Sequence, residues 1–105
     1  MGRNSGGVSG SGGVGSSSYD RATDALYAAF SSKSKTGVSK AAKKIEASIG
    51  KMSDSVVRDR AASFNDAVFF SSRKNTPKGE YSSAAYNYNK KMSQLYRREA
   101  KKRKL

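Results

Sequence analysis

Apolar residues recur at helical spacing in four stretches of the chain. Steps of three and four residues place side chains on one face of an α-helix. No stretch alternates apolar and polar residues as a half-exposed strand does. The pattern therefore predicts an all-α protein, a small bundle of three to four helices. The four apolar seams are Ala22, Leu26, Ala29 and Phe30; Val38, Ala42, Ile45, Ile49 and Met52; Val57, Ala61, Phe64 and Val68; and Tyr81, Ala85, Tyr88, Met92 and Leu95.

Polar residues predict where the helices begin and end. Ser17 and Asp20 have the spacing of a capping box, which predicts a first helix over residues 19–31. The segment 31–37 is rich in Ser and Lys and ends in Gly, so we expect a loop there. Ser53 is a candidate N-cap for the third helix. Short connections of this kind favour antiparallel neighbours.

Composition divides the chain into three parts. Residues 1–18 hold seven Gly and six Ser and show no hydrophobic period, which predicts a flexible tether. Residues 19–96 form the predicted helical module. Residues 97–105 are expected to leave it as a basic extension, because Glu99 falls where the last seam should continue. Residues 10–15 match the G-x-G-x-x-G nucleotide fingerprint, but no strand precedes them, so the match indicates no nucleotide site.

Positive charge is concentrated in two regions. The formal net charge is +13, of which residues 32–52 contribute +5 and residues 73–105 contribute +9. A helical wheel places seven cations of the last helix opposite its apolar seam, with Tyr86 among them: Lys90, Lys91, Arg97, Arg98, Lys101, Lys102 and Lys104. Exposed helices usually mix Glu with Lys, so the excess of one sign predicts binding of a polyanion. The predicted nucleic-acid-binding residues are Lys40, Lys43, Lys44, Lys51, Tyr86, Lys90, Lys91, Arg97, Arg98, Lys101, Lys102, Arg103 and Lys104.

The residue types present argue against several classes of site. The chain has no His and no Cys, which removes the usual general base near neutral pH and the thiolate ligands of metals. Its eight carboxylates are scattered, so we expect no metal site, no cofactor, no small-molecule substrate and no enzyme activity. No segment approaches the ~18 apolar residues of a membrane span. We therefore expect no membrane partner and a cytoplasmic location, or a nuclear one in a eukaryote because of the basic run 101–104.

Three functions remain open at this stage. The favoured one is a non-enzymatic binder of nucleic acid or ribonucleoprotein, with RNA preferred over duplex DNA because aromatic residues near cations suit unstacked bases. The first alternative is a small phage or mobile-element inhibitor or adaptor, analogous to anti-CRISPR proteins, that docks on a nucleic-acid-processing enzyme. For that function Phe69 and Phe70 are the predicted protein-contact residues, one of them facing solvent. The second alternative is a basic packaging component of a virion or nucleoid.

Overall fold

Four α-helices form a bundle in the computed structural model, which describes residues 17–105. No strand occurs in this part of the chain, so the predicted all-α fold class is confirmed. The predicted Gly/Ser tether lies outside the described residues, except for its last two, which belong to the first helix. The helices are α1 Ser17–Ser31, α2 Lys35–Ile49, α3 Asp54–Phe70 and α4 Ser83–Lys102.

Serine side chains cap the N-termini of three helices. Ser34, Ser53 and Ser82 each accept a hydrogen bond from the backbone N–H three residues later, at 3.0–3.3 Å. Each hydroxyl thus satisfies an amide that the first helical turn leaves unpaired. The N-cap predicted at Ser53 is confirmed. Two helix starts differ from the prediction. With Ser34 as its N-cap, α2 begins inside the expected loop 31–37. With Ser82 as its N-cap, α4 begins after Tyr81, which the sequence had placed in the apolar seam of that helix.

Helix α4 lies at the centre of the bundle, with α1 and α3 antiparallel to it. Tyr19 near the start of α1 contacts Tyr96, whereas Tyr27 further along contacts Tyr88, which lies earlier in α4. The ring of Phe64 in α3 lies against both α4 tyrosines. Helix α2 packs mainly on α1, and its C-terminal end meets the C-terminal end of α4. One face of α4 is therefore left to solvent.

Of the thirteen buried hydrophobic residues in the described part of the chain, ten belong to the predicted seams, and Tyr19, Ala41 and Tyr96 lie outside them. The largest fully buried side chains are Leu26, Ile45, Ile49, Val57, Met92, Leu95 and Tyr96. Helices α1 and α2 approach closely at Gly37, where a Cβ would lie 3.0 Å from the Cβ of Ala29. Because any larger residue would force these helices apart there, the glycine has a packing role inside a helix that it otherwise disfavours.

A buried polar cluster joins three of the helices. The Tyr96 hydroxyl accepts a hydrogen bond from Arg60 Nη1 at 3.0 Å and lies 2.6 Å from the Tyr19 hydroxyl. The Tyr96 hydroxyl also lies 3.5 Å from the sulfur of Met52, to which it can donate. Burial, and then the bond to Tyr96, raise the pKa of Tyr19. Every polar atom at the centre of the cluster is therefore partnered, as burial requires.

The C-terminal segment remains packed on the body of the protein. Helix α4 continues past Tyr96 to Lys102, and Arg103 follows as its C-cap. Ala100 packs against the core, while Arg103 reaches the turn between α2 and α3. This placement differs from the expected departure of the chain at Tyr96. The physical reason is that Glu99, which interrupts the apolar seam, is paired with Arg103 instead of exposed to bulk water.

Candidate nucleic-acid interface

The solvent face of α4 carries a row of three cations. Lys90, Arg97 and Lys101 are exposed and make no ion pair within residues 17–105. Their spacing places them on one side of the helix, with the first and last about 16 Å apart along its axis. We call these three residues the α4 row. Lys91 is half-buried and lies about 100° around the helix from Lys90.

Lys104 does not extend this row by helical geometry. It lies beyond the end of α4, and its backbone is left-handed with a φ of 61°. The wheel position predicted for it therefore no longer applies, although its side chain is exposed. Lys104 therefore adds positive charge just after the end of α4 without belonging to the α4 row.

A shallow surface depression lies along the C-terminal half of α4. It contains two members of the α4 row, and no Asp or Glu side chain contributes to its lining. Concentrating cations on a concave surface raises the local positive potential. Arg97 adds a planar fork that matches two phosphate oxygens. The lining residues are Gln94, Arg97, Arg98, Ala100, Lys101 and Leu105.

Arg98 connects this surface to α2. Its Nη1 donates to the Glu46 carboxylate at 3.1 Å, and both side chains are well exposed. An ion pair in that setting is worth about 0–1 kcal/mol, so a phosphate can compete with Glu46 for Arg98. Lys43 lies one turn before Glu46 and is therefore on the side of α2 that borders α4.

The other predicted cations of α2 are exposed but lie further from the α4 row. Lys44 is about 160° around α2 from Glu46, and Lys40 is about 120° from it. Lys51 lies after α2, in the turn that leads to α3. Of the three predicted lysines within α2, Lys43 is thus on the side that borders α4, while Lys51 lies between two residues whose carbonyls accept from Arg103 at the end of α4.

Two predicted cations are already engaged within the protein. All three guanidinium nitrogens of Arg103 donate hydrogen bonds, to three backbone carbonyls of the α2–α3 turn and to the carboxylates of Glu99 and Asp54. The bond to Glu99 raises the pKa of Arg103 and, reciprocally, lowers the pKa of Glu99. Lys102 lies 3.6 Å from the same Glu99 carboxylate. We therefore leave Arg103 out of the candidate interface.

An aromatic cluster lies at the N-terminal end of α4. The ring centres of Tyr86 and Tyr81 are 6.2 Å apart, and the guanidinium of Arg73 lies 4.8 Å from the centre of the Tyr81 ring. Lys90 follows Tyr86 by one turn, so the cluster adjoins the α4 row. Sequence reasoning selected Tyr86 and missed the other two members of the cluster. The available signal was Ser82, whose capping character would have placed Tyr81 in the loop.

Phe69 and Phe70 both face solvent. They are 58% and 68% exposed, and their rings meet edge to face with centres 5.2 Å apart. The sequence predicted that one of them is exposed. Both are exposed because α3 ends here and no described element covers it. Asn75 and Thr76 donate to the carbonyls of these two phenylalanines, which ties the following loop to the helix end.

Among residues 17–105, His, Cys, Asp and Glu form no group of three that could hold a metal ion. No helix in that range has both the length and the apolar character needed to cross a membrane. Comparison of the chain with protein-family models, curated proteins and solved structures gives no match. Function is therefore inferred from the surface of the described residues.

Proposed function

We propose that the protein binds nucleic acid without catalysing a reaction, and that the α4 row is its main contact surface. The observation that supports this most is the row itself: three exposed cations without ion pairs, two of which line a depression that has no Asp or Glu side chain in its lining. Phosphate contacts supply most of the affinity of such binders, by releasing condensed counterions. Arg98 and Lys43 extend the positive surface towards α2.

RNA is favoured over duplex DNA as the ligand. The aromatic cluster at one end of the row suits bases that are unstacked, and sequence-specific RNA recognition mostly uses such bases. Residues 17–105 contain no Cys and no His, so they cannot form a zinc finger that reads a duplex. The proposal therefore places phosphates along α4 and bases near its N-terminal end.

Salt dependence tests this proposal. If about five phosphates of a single strand are neutralised, log K should fall with log salt at a slope near −3.5. We expect this for a fluorescently labelled single-stranded RNA measured by anisotropy at several salt concentrations. Replacing Arg97 and Lys101 by Gln should reduce the slope by roughly 1 to 1.5.

A matched control is Arg58→Gln, because Arg58 is an exposed cation on α3 whose contact with Asp59 is long, at 3.9 Å. This variant should bind like the wild-type protein. Absence of binding at low salt, or a slope that the Arg97 and Lys101 changes leave untouched, would contradict the proposal.

The exposure of both phenylalanines favours a second candidate function, docking on a protein. In that case the chain is an inhibitor or adaptor that contacts a nucleic-acid-processing enzyme through Phe69 and Phe70. Phe70→Ser should then abolish recovery of a protein partner in a nuclease-treated pull-down, whereas the Arg97 and Lys101 changes should have little effect. If neither change affects recovery, this second function is wrong.

A further inference from the structure

We infer that Tyr86, Asn87 and Lys90 form a binding site for one unpaired nucleobase with its phosphate, at the N-terminal end of the α4 row. The ligand would therefore be a single-stranded RNA segment whose base is free to leave its stack. This inference rests on the proposed nucleic-acid binding and adds to it the chemical group that is recognised.

The position of the Tyr86 ring is set before any ligand arrives. Tyr81 lies against it at 6.2 Å with an angle of 45° between the ring planes, and Arg73 holds Tyr81 by a cation–π contact. Tyr86 is half-buried, so part of its ring remains open to solvent. A ring that is already restrained loses less conformational entropy when a base stacks on it.

Two polar neighbours complete the site. Lys90 lies one helical turn after both Tyr86 and Asn87, so the three side chains occupy adjoining positions on the surface of α4. Asn87 and Lys90 are exposed. The amide supplies both a donor and an acceptor for the edge of a base, and the ammonium supplies a point charge for a phosphate. An aromatic face beside such groups is what single-strand binders use.

Duplexes cannot use this site in the same way. In a duplex each base face is covered by its neighbours, and unstacking one base costs a few kcal/mol. A duplex would therefore contact only the cations of the α4 row, with no contribution from the Tyr86 ring.

The first arm of the test needs no variant. We would compare binding of the wild-type protein to a single-stranded RNA oligomer and to an abasic oligomer with the same number of phosphates and the same label. The oligomer with bases should bind about five- to tenfold more tightly, at the lower end of the range for stacking on one aromatic ring. Equal affinities would overturn the inference while leaving the salt-dependent binding of the proposed function intact.

The second arm locates the effect. Tyr86→Leu keeps an apolar side chain against Tyr81 but removes the aromatic face, so it should lower affinity for the RNA oligomer about five- to tenfold and leave the abasic oligomer unaffected. The control is Tyr27→Leu, because Tyr27 is also exposed but contacts Tyr88 on another side of α4. An equal loss for both oligomers would overturn the inference. Failure of the wild-type protein to bind either oligomer at low salt would instead overturn the proposed function.

Discussion

Arg103 fastens the end of α4 to the turn between α2 and α3. Its Nη1 donates to the Met52 carbonyl at 2.8 Å, and its Nη2 donates to the carbonyls of Ile49 and Gly50 at 3.2 Å each. Glu99 holds the Nε at 2.7 Å. Hydrogen bonds from a charged donor are the stronger kind, and here several share one rigid, planar group. One side chain thus joins the end of α4 to the end of α2 and to the turn that follows it.

Replacing Arg103 by Gln should therefore destabilise the fold. We expect the melting temperature, followed by circular dichroism, to fall by roughly 5–10 °C, since several charge-assisted bonds are lost at once. Arg103→Lys should not restore it, because an ammonium cannot reach the same acceptors with a planar fork. The control is Arg97→Gln in the same helix, which should change the melting temperature by no more than about 2 °C. Equal effects of the 97 and 103 changes would contradict a structural role for Arg103.

Arg97 and Arg103 show how much the sequence alone can predict about the role of a single residue. Both are arginines of the same basic segment, but Arg103 lies about 120° around the helix from Arg97, on the side of the apolar seam. A wheel thus separates their faces, yet it cannot show what Arg103 contacts. Arg97 is exposed without an ion pair, whereas the side chain of Arg103 is 18% exposed and fully engaged. The difference arises from a turn about 50 residues earlier in the chain, which only tertiary structure brings near.

At the scale of elements, the four helices could be predicted because their apolar seams depend only on local spacing. The errors occur at helix ends, where a local signal competes with a tertiary one. Gly37 disfavours a helix by about 1 kcal/mol relative to Ala, which favoured a loop over 31–37. In the structure the same glycine lies inside α2, because it allows close contact with Ala29 in α1.

The candidate interface could likewise be predicted only in part. The α4 row could be predicted, since Lys90, Arg97 and Lys101 share one face of one helix. Contacts between elements could not, because they depend on packing: Arg98 with Glu46 joins α4 to α2, and Arg73 with Tyr81 joins two ends of one loop. Of the three residues of the aromatic cluster, the sequence therefore indicated only Tyr86.

For the whole molecule, the balance between charge and core size is the main constraint on stability. The chain carries a net charge of +13, while within the described residues the largest fully buried side chains number only seven. Mutual repulsion of the cations opposes the compact state. Salt screens such repulsion over a distance of about 10 Å at 0.1 M. We therefore regard the isolated protein at low ionic strength as the least stable form of this bundle.

A polyanion should raise the melting temperature of the protein. The sign of this change tests whether a polyanion binds the folded protein more tightly than the unfolded chain. The unfolded chain has the same +13 charge, so a ligand that binds unfolded and folded chains equally leaves the melting temperature unchanged. A single-stranded RNA at 100 times its Kd would add at most ~2.7 kcal/mol if it bound only the folded state. We accordingly expect a rise of several degrees, up to about 10 °C, at low salt. The variant with Gln at 97 and 101 should lose most of this rise, whereas Arg58→Gln should keep it. An unchanged or lower melting temperature with RNA would mean that the bundle offers phosphate no better surface than the unfolded chain does.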